Sequence, residues 1–256
     1  RSPSRGLGDV YKRQEYMRIF IEPSKVNISV QVLQQWLKNL DKIYLSYLEL
    51  MGEVPHEGRK LAIQTTKGIY SGYWALAGYP ILWTANGTAV EDSFSQMLQH
   101  DDWCFGILHE IGHVFNIGDT SWNWNDEMFA NFRMHYALEK NNGKVYMDGR
   151  NGKQVFTGGE ILDMYKIDYE NTIGTKVNDN GIHYMLARMA ASITWEPYKK
   201  TFNYLRKNGG SGTNKYDKFV HFVNTLNRFA KETNPDVDVW DYFSALELES
   251  IKKQLN

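Results

Sequence analysis

Apolar residues recur at helical spacing over residues 29–51 and mark the longest predicted element of the chain. Positions three and four apart lie on one face of an α-helix, so this stripe predicts an amphipathic helix packed on a core. The predicted helix ends at Gly52, since glycine readily adopts the left-handed conformation that closes a helix. The residues of the stripe are Val30, Leu33, Trp36, Leu37, Leu40, Ile43, Tyr44, Tyr47 and Leu48.

Shorter patterns divide the rest of the chain into a small sheet and many helices. Residues 60–66 and 78–84 predict strands, and residues 144–156 predict a hairpin. The predicted helices span 93–100, 102–117, from Asn125 or Asp126 to about 142, 159–165, 181–194, 197–207, 216–233 and 239–255. Either Asn125 or Asp126 can cap its helix. The order of elements predicts an α+β protein, with a small N-terminal sheet followed by a mostly helical part.

The first fourteen residues, RSPSRGLGDVYKRQ, differ from the rest because they lack both periodicity and an initiator methionine. They look like translated sequencing-adaptor sequence, so we exclude residues 1–14 from the fold. We expect residues 15–256 to form one domain, with a mixed α/β part over 15–101 and a helical part over 102–256. On this interpretation the natural protein extends further at its N-terminus.

Composition narrows the classes of partner. The net charge of −1 provides no global field for nucleic acid, and no apolar run is long enough to span a membrane. A single cysteine rules out an internal disulfide bond. The 8 Trp, 16 Tyr and 12 Phe suit a thick core, and also a site that stacks on sugars or peptides. We expect a monomer.

The segment GILHEIGHVFN, residues 106–116, carries the most specific chemistry. His109 and His113 stand four residues apart, so on a helix they project side by side and can bind one ion. Glu110 lies at the edge of that face, where it can reach a metal-bound water. This is the H-E-x-x-H arrangement of zinc peptidases. The alternative is an amphipathic helix with two hydrogen-bonded histidines.

The next helix offers a third ligand. Glu127 lies in its first turn, after a loop long enough to reverse the chain, and catalytic zinc sites typically use three protein ligands. Asn131, one turn later, could accept a hydrogen bond from a ligating histidine. The alternatives are a first-turn acid favoured by the helix dipole and an ordinary surface amide. Asp126 competes with Glu127, but we expect it to cap the helix.

The stretches GYPILW, WCFGILHEIGHVFN and WNWNDEMFANF together resemble the enhancin-like, mucin-targeting zinc metallopeptidases of peptidase family M sixty. The matching positions are 78–81, Trp103, 109–113, Trp124, and Glu127 with Asn131. The C-terminal segments ITWEPYKKTFNYLRK and LNRFAKETNPDVDVWDYFSALEL also look like that family's helices. Asn116 departs from the pattern, since glutamine is common there.

The resemblance implies a gluzincin fold, with two zinc-binding histidines on one helix and a glutamate ligand on the next. It also implies a secreted or surface-attached bacterial enzyme that cleaves mucin-like glycoproteins. We expect one Zn²⁺ held by His109, His113 and Glu127, with Glu110 as the general base. Asn131 would support a ligating histidine.

Four further residues are candidates for contact with substrate or with the oxyanion. Tyr79 lies in a segment that is either an edge strand, which could pair with an extended peptide, or an ordinary core strand. Trp124, like Trp122, could stack on a sugar or form the wall of the zinc pocket. His183 and Tyr184 could donate to an oxyanion, although a core position is the alternative for His183.

Two other functions stay open. The chain could be an inactive glycan- or mucin-binding module with a structural zinc, although binding alone does not need Glu110. It could also be a zinc peptidase of another substrate class, such as an aminopeptidase. The sequence lacks a G-x-M-E-N-like segment that would anchor a substrate amino terminus, which disfavours the aminopeptidase.

Overall fold

The computed structural model describes residues 16–22, 29–69, 72–73, 75–86, 90–91, 103–115 and 120–256; for residues 103 and 104 it describes the backbone alone. The segment 1–14, the predicted helix 93–100 and Asn116 lie outside the described residues. The same is true of the side chain of Trp103 and of both ends of the helix predicted over 102–117.

The long predicted helix is present as α1, Val30–Met51. The Ser29 hydroxyl accepts a hydrogen bond from the Val32 N–H and caps its start. Gly52 adopts φ 66° and donates its N–H to the Leu48 carbonyl, as expected for a left-handed C-cap. Its buried face carries the predicted apolar stripe from Leu33 to Tyr47, whereas Leu48 is half-buried and Val30 is exposed.

A four-stranded sheet packs beside α1. Its strands are β1 (Met17–Phe20), β2 (Leu61–Thr66), β3 (Ala75–Leu76) and β4 (Ile81–Thr84), in the order β1-β2-β4-β3. β1, β2 and β4 are parallel, and β3 runs antiparallel to β4. β4 therefore lies inside the sheet, and the edge-strand interpretation of residues 78–84 is wrong. The edge beside β4 is β3, a strand too short to predict from periodicity.

A second, three-stranded sheet lies next to the pair of helices that carry the motif. In chain order these elements are β5 (Trp103–Cys104), α2 (Phe105–Val114), α3 (Asp126–Asn141), β6 (Lys144–Gly149) and β7 (Gly152–Thr157). β5 pairs parallel with β6, and β6 with β7 forms the predicted hairpin. Since β5 leads directly into α2, this sheet fixes the start of the motif helix.

The rest of the chain is helical and completes a common core with α1 and α3. The elements are α4 (Gly158–Thr172), α5 (Asp179–Arg188), α6 (Ala190–Ile193), α7 (Glu196–Asn208), α8 (Lys215–Thr233) and α9 (Ala245–Leu255). Among the described residues, the 3₁₀ turns Pro55–Gly58 and Val239–Tyr242 join longer elements. The predicted α+β arrangement, with a small sheet first and helices afterwards, is confirmed. Within the described ranges, no helix combines the length and apolarity needed to cross a bilayer.

Candidate metal centre

Three side chains from α2 and α3 converge on one point. The Nε2 atoms of His109 and His113 are 3.0 Å apart, and His109 Nε2 is 3.0 Å from Glu127 Oε2. His113 Nε2 lies 3.5 Å from Glu127 Oε1, and the three donor groups fall within 4.8 Å of one another. Ligands of a tetrahedral zinc, with bonds near 2.0–2.1 Å, are about 3.3 Å apart. The three donors thus match the edges of such a polyhedron.

The second ring nitrogen of each histidine is held from α3. His109 Nδ1 lies 2.8 Å from Asn131 Oδ1, and His113 Nδ1 lies 2.7 Å from Asp126 Oδ2. In both pairs the ring N–H donates to oxygen, which fixes the tautomer and turns the Nε2 lone pair toward the common point. The donor set and its orientation therefore fit a divalent metal such as zinc.

Asp126 has a role that the sequence did not indicate. Asn125, not Asp126, caps α3, because its side chain accepts from the Met128 N–H. Asp126 instead binds His113 through Oδ2, and its Oδ1 accepts a hydrogen bond from Asn123 Nδ2 at 3.1 Å. Burial lowers the pKa of His113, but the hydrogen bond and charge of Asp126, together with the charges of Glu127 and Glu110, outweigh burial, and the net pKa is raised. In the sequence, the signal for this role was an acidic residue, Asp126, directly before the candidate ligand Glu127.

Glu110 is half-buried beside these donors and points toward the edge strand. Burial raises the pKa of its carboxyl, against the lowering effect of His109, His113 and a hydrogen bond from the Ala77 N–H. A raised pKa makes the carboxylate a better proton acceptor than an ordinary glutamate, as a general base requires. The contact also places residues just after β3 next to the candidate centre.

The two helices approach each other closely because Gly112 lacks a side chain. A Cβ built there would lie 2.8 Å from the Ala130 carbonyl oxygen. Arg133, fully buried, donates from Nη1 to the Gly112 carbonyl at 2.9 Å, and Tyr47 donates to the Leu108 carbonyl at 2.7 Å. Side chains from α1 and α3 therefore fix α2 at two backbone carbonyls. In the sequence, the signal for this contact was the charged Arg133 within the apolar run of α3.

The loop before α3 is anchored by its tryptophans. Trp124 is 3% exposed, and its ring packs against Phe129, Phe219 and Phe222. The prediction that Trp124 contacts substrate is therefore wrong, because a sugar cannot reach a ring enclosed by α3 and α8. Its position holds the residues that start α3. Trp122 is buried in the same aromatic cluster.

His183 is also in the core. It is 1% exposed, and its Nε2 lies 3.3 Å from Nδ1 of buried His135. Burial and the neighbouring His135 hold the pKa of His183 far below its ordinary value. His183 therefore does not contact a substrate in this structure, and the alternative of a core histidine is correct.

The last two predicted contacts differ in their surroundings. Tyr184 packs against Tyr169 of α4 and under the guanidinium of Arg188, so its ring lies on the α4 side of α5. These contacts give it no link to the metal donors. Tyr79 is exposed and follows Ala77 by two residues, close to the backbone group that binds Glu110. Its contact with substrate stays a prediction.

The fold and the site together define an α+β protein with a candidate metal centre on two crossing helices. No family model matches the sequence, and no curated protein matches it. The chain is similar to the crystal structure of a functionally unknown conserved protein from Bacillus anthracis str. Ames, with a TM-score of 0.60 and 15% identity. A mutant protein of the same description gives a TM-score of 0.60 and 14% identity. Both comparisons cover 94% of this chain and 50% of the other, so the chain spans about half the length of those proteins. At this identity the similarity shows the fold alone.

Proposed function

We propose that this chain is a zinc-dependent endopeptidase in which Zn²⁺ is held by His109, His113 and Glu127. The observation that carries the proposal is the orientation of the two imidazoles. Their Nδ1 atoms are occupied by Asn131 and Asp126, so both Nε2 atoms are directed toward the Glu127 carboxylate. Three protein ligands leave a tetrahedral ion one position for water or substrate, as in catalytic zinc sites.

Zinc bound there would supply Lewis acidity, which lowers the pKa of a water toward about 7 and polarises a carbonyl. Glu110 accepts the proton of the attacking water and delivers it to the leaving amine. The raised pKa of its carboxyl favours the first of these transfers, because it makes the carboxylate a stronger base, and the Ala77 N–H keeps the carboxylate oriented. The outer partners of the imidazoles keep both rings in position.

The substrate class in this proposal comes from the sequence resemblance. It comprises glycoproteins with mucin-like O-glycans, outside the cell or at its surface. Two histidines on one helix and a carboxylate on the next support a gluzincin arrangement. Glu110 distinguishes the proposal from a glycan-binding module with structural zinc, because a structural site typically uses four protein ligands and needs no base.

The test compares wild-type protein with Glu110→Gln in two separate measurements. Both proteins are expected to bind one zinc per chain, measured by atomic absorption after gel filtration. Cleavage of an O-glycosylated mucin peptide with a blocked amino terminus is expected to fall at least about 10²-fold in the variant. Glu249→Gln, an exposed glutamate on α9, is the matched control and should retain full activity.

Each alternative function has its own result in this experiment. Zinc bound without cleavage by the wild-type protein would favour the binding module. Cleavage that requires a free amino terminus would favour an aminopeptidase. Unchanged cleavage by Glu110→Gln would remove Glu110 from the mechanism.

A further inference from the structure

Basic side chains surround the exposed ring of Tyr79. Arg18 Nη2 lies 3.5 Å from the Tyr79 hydroxyl, and the Arg59 guanidinium lies 5.7 Å from the ring centroid. The His56 imidazole packs on the same ring at a centroid distance of 4.8 Å. These four residues, called the Tyr79 cluster below, come from β1, the 3₁₀ turn Pro55–Gly58 with its following residue, and the turn before β4.

The Tyr79 cluster lies next to the candidate catalytic site. Tyr79 follows by two residues Ala77, whose N–H donates to the Glu110 carboxylate. Two residues of extended chain span at most about 7 Å. A substrate that reaches the base Glu110 can therefore also place a neighbouring group on the Tyr79 cluster.

Donors in the cluster are left without protein partners. Arg18 Nε and His56 Nε2 are buried, and neither forms a hydrogen bond within the part of the chain that the structure describes. A buried donor without an acceptor carries a desolvation cost. A bound carboxylate would supply acceptors and remove that cost.

The turn that carries His56 is in an unfavourable backbone conformation. His56 and Glu57 have φ of 52° and 57°, in the left-handed region that few side chains other than glycine adopt. Such strain persists only where the surrounding structure enforces it, often at binding sites. Here it places His56 against Tyr79.

The cluster carries a net positive charge. Arg59 pairs with Glu57 at 3.1 Å, but both side chains are largely exposed, and such pairs contribute little. A ligand can therefore compete for Arg59. Burial and the nearby Arg59 lower the pKa of His56, so His56 supplies a neutral donor and the two arginines supply the charge.

We propose that the Tyr79 cluster is a substrate subsite that binds a carboxylate, held by Arg18 and Arg59 around the Tyr79 ring. The carboxylate belongs either to an acidic sugar or to an aspartate or glutamate of the peptide. This inference rests on the proposed peptidase function for the identity of the ligand as a substrate. The cluster itself contains none of the metal donors.

The test measures binding of four fluorescein-labelled probes by anisotropy, using the full chain with Glu110→Gln so that no probe is cleaved. Two probes are peptides that differ by one Glu or Gln. The other two are one sialylated O-glycopeptide and the same glycopeptide after removal of sialic acid. Measurements on zinc-free and zinc-loaded protein separate binding to the cluster from direct binding of a carboxylate to zinc.

At least one acidic probe should bind about tenfold more tightly than its neutral partner, the size expected for a charge-assisted hydrogen bond. Arg18→Gln and Arg59→Gln should each abolish that preference without weakening the neutral probe. Arg228→Gln, an exposed arginine stacked on Tyr204, is the matched control and should leave the preference unchanged. Arg59 is exposed, so its variant remains informative if Arg18→Gln fails to fold.

A preference for the Glu peptide assigns the subsite to a peptide side chain, and a preference for the sialylated probe assigns it to a sugar acid. Equal binding of both pairs, or a preference that survives both arginine variants, would overturn the subsite. If zinc-dependent cleavage persists in that case, the proposed function stands without it. Failure to bind zinc, with the charge preference intact, would instead overturn the proposed function and leave the subsite.

Discussion

Replacing Gly112 with alanine tests whether the close crossing of α2 and α3 builds the candidate metal centre. The new Cβ would lie 2.8 Å from the Ala130 carbonyl oxygen and 3.0 Å from its Cα. Ordinary contact begins at 3.4 Å, so one helix must move by 3.4 − 2.8 = 0.6 Å. Both obstructing atoms belong to helix backbone, which cannot rotate away as a side chain can.

Two effects on stability oppose each other in this variant. Overpacking of a well-packed interior typically costs about 1–3 kcal/mol, whereas alanine in a helix gains about 1 kcal/mol over glycine. We expect a net loss of about 1 kcal/mol in the free energy of unfolding, measured by urea denaturation of zinc-free protein. For a domain of this size that corresponds to a fall of about 2–4 °C in Tm.

The larger effect is expected at the metal. Ala130 lies between Glu127 and Asn131 on α3, so displacing it moves a donor and the hydrogen-bond partner of His109 together. Disturbing such outer partners typically weakens metal binding 10–100-fold. Competition with a chromophoric chelator measures this loss.

Gly159→Ala is the matched control for the glycine substitution. Its Cβ would meet no atom closer than 4.0 Å, in the first turn of α4. It should leave the zinc affinity unchanged and the stability equal or slightly higher. If Gly112→Ala behaved in the same way as this control, the crossing would tolerate a methyl group, and its role in placing Glu127 would be refuted.

Three further variants probe contacts around the site and in the core. Asp126→Asn removes the charge that holds His113, so zinc affinity should fall about 10–100-fold with the unfolding free energy of zinc-free protein nearly unchanged; equal affinity would contradict this role. Trp124→Ala should lower the unfolding free energy by about 3–5 kcal/mol in urea titrations, because it empties the aromatic cluster that anchors the loop. Burial raises the pKa of Glu247, but hydrogen bonds from Arg188 and Tyr169 lower it by more than burial raises it. The net pKa is therefore below its ordinary value. Its carboxylate therefore stabilises the fold above about pH 4.3, and this stability is lost as pH falls through the lower pKa of the folded state. Glu247→Gln should cost about 3 kcal/mol at pH 7, and the difference from wild type should vanish in acid; a constant difference from pH 7 to pH 3 would contradict the ion pair.

Features that depend on neighbours in sequence could be predicted, since short-range spacing determines them. α1 shows this, with its apolar stripe and Gly52 at its end. The paired histidines are another case, because positions four apart on a helix must lie together. The role of Glu127 as third ligand could be predicted in the same way, because a short reversal of the chain returns α3 alongside α2.

Features that depend on distant contacts could not be predicted. β1 and β5 are four and two residues long, and pairing with strands more than forty residues later holds them, whereas the two residues of β3 are too few to show a period. In the sequence, Trp124 is a loop residue near the motif, but Phe219 and Phe222 of α8, almost a hundred residues later, pack against its ring. The link between Ala77 and Glu110 likewise exists only once the sheet is assembled.

The three metal donors are held unequally, and this difference indicates what determines the geometry. The imidazoles of His109 and His113 are largely buried and each is fixed at Nδ1, whereas the Glu127 side chain is 75% exposed. An exposed carboxylate keeps much of its rotamer freedom, so its place depends on the backbone that carries it more than on contacts of its own. That backbone is fixed by Asn125 at the start of α3 and by the crossing at Gly112. The arrangement of helices therefore determines where the third donor lies, and the motif alone does not.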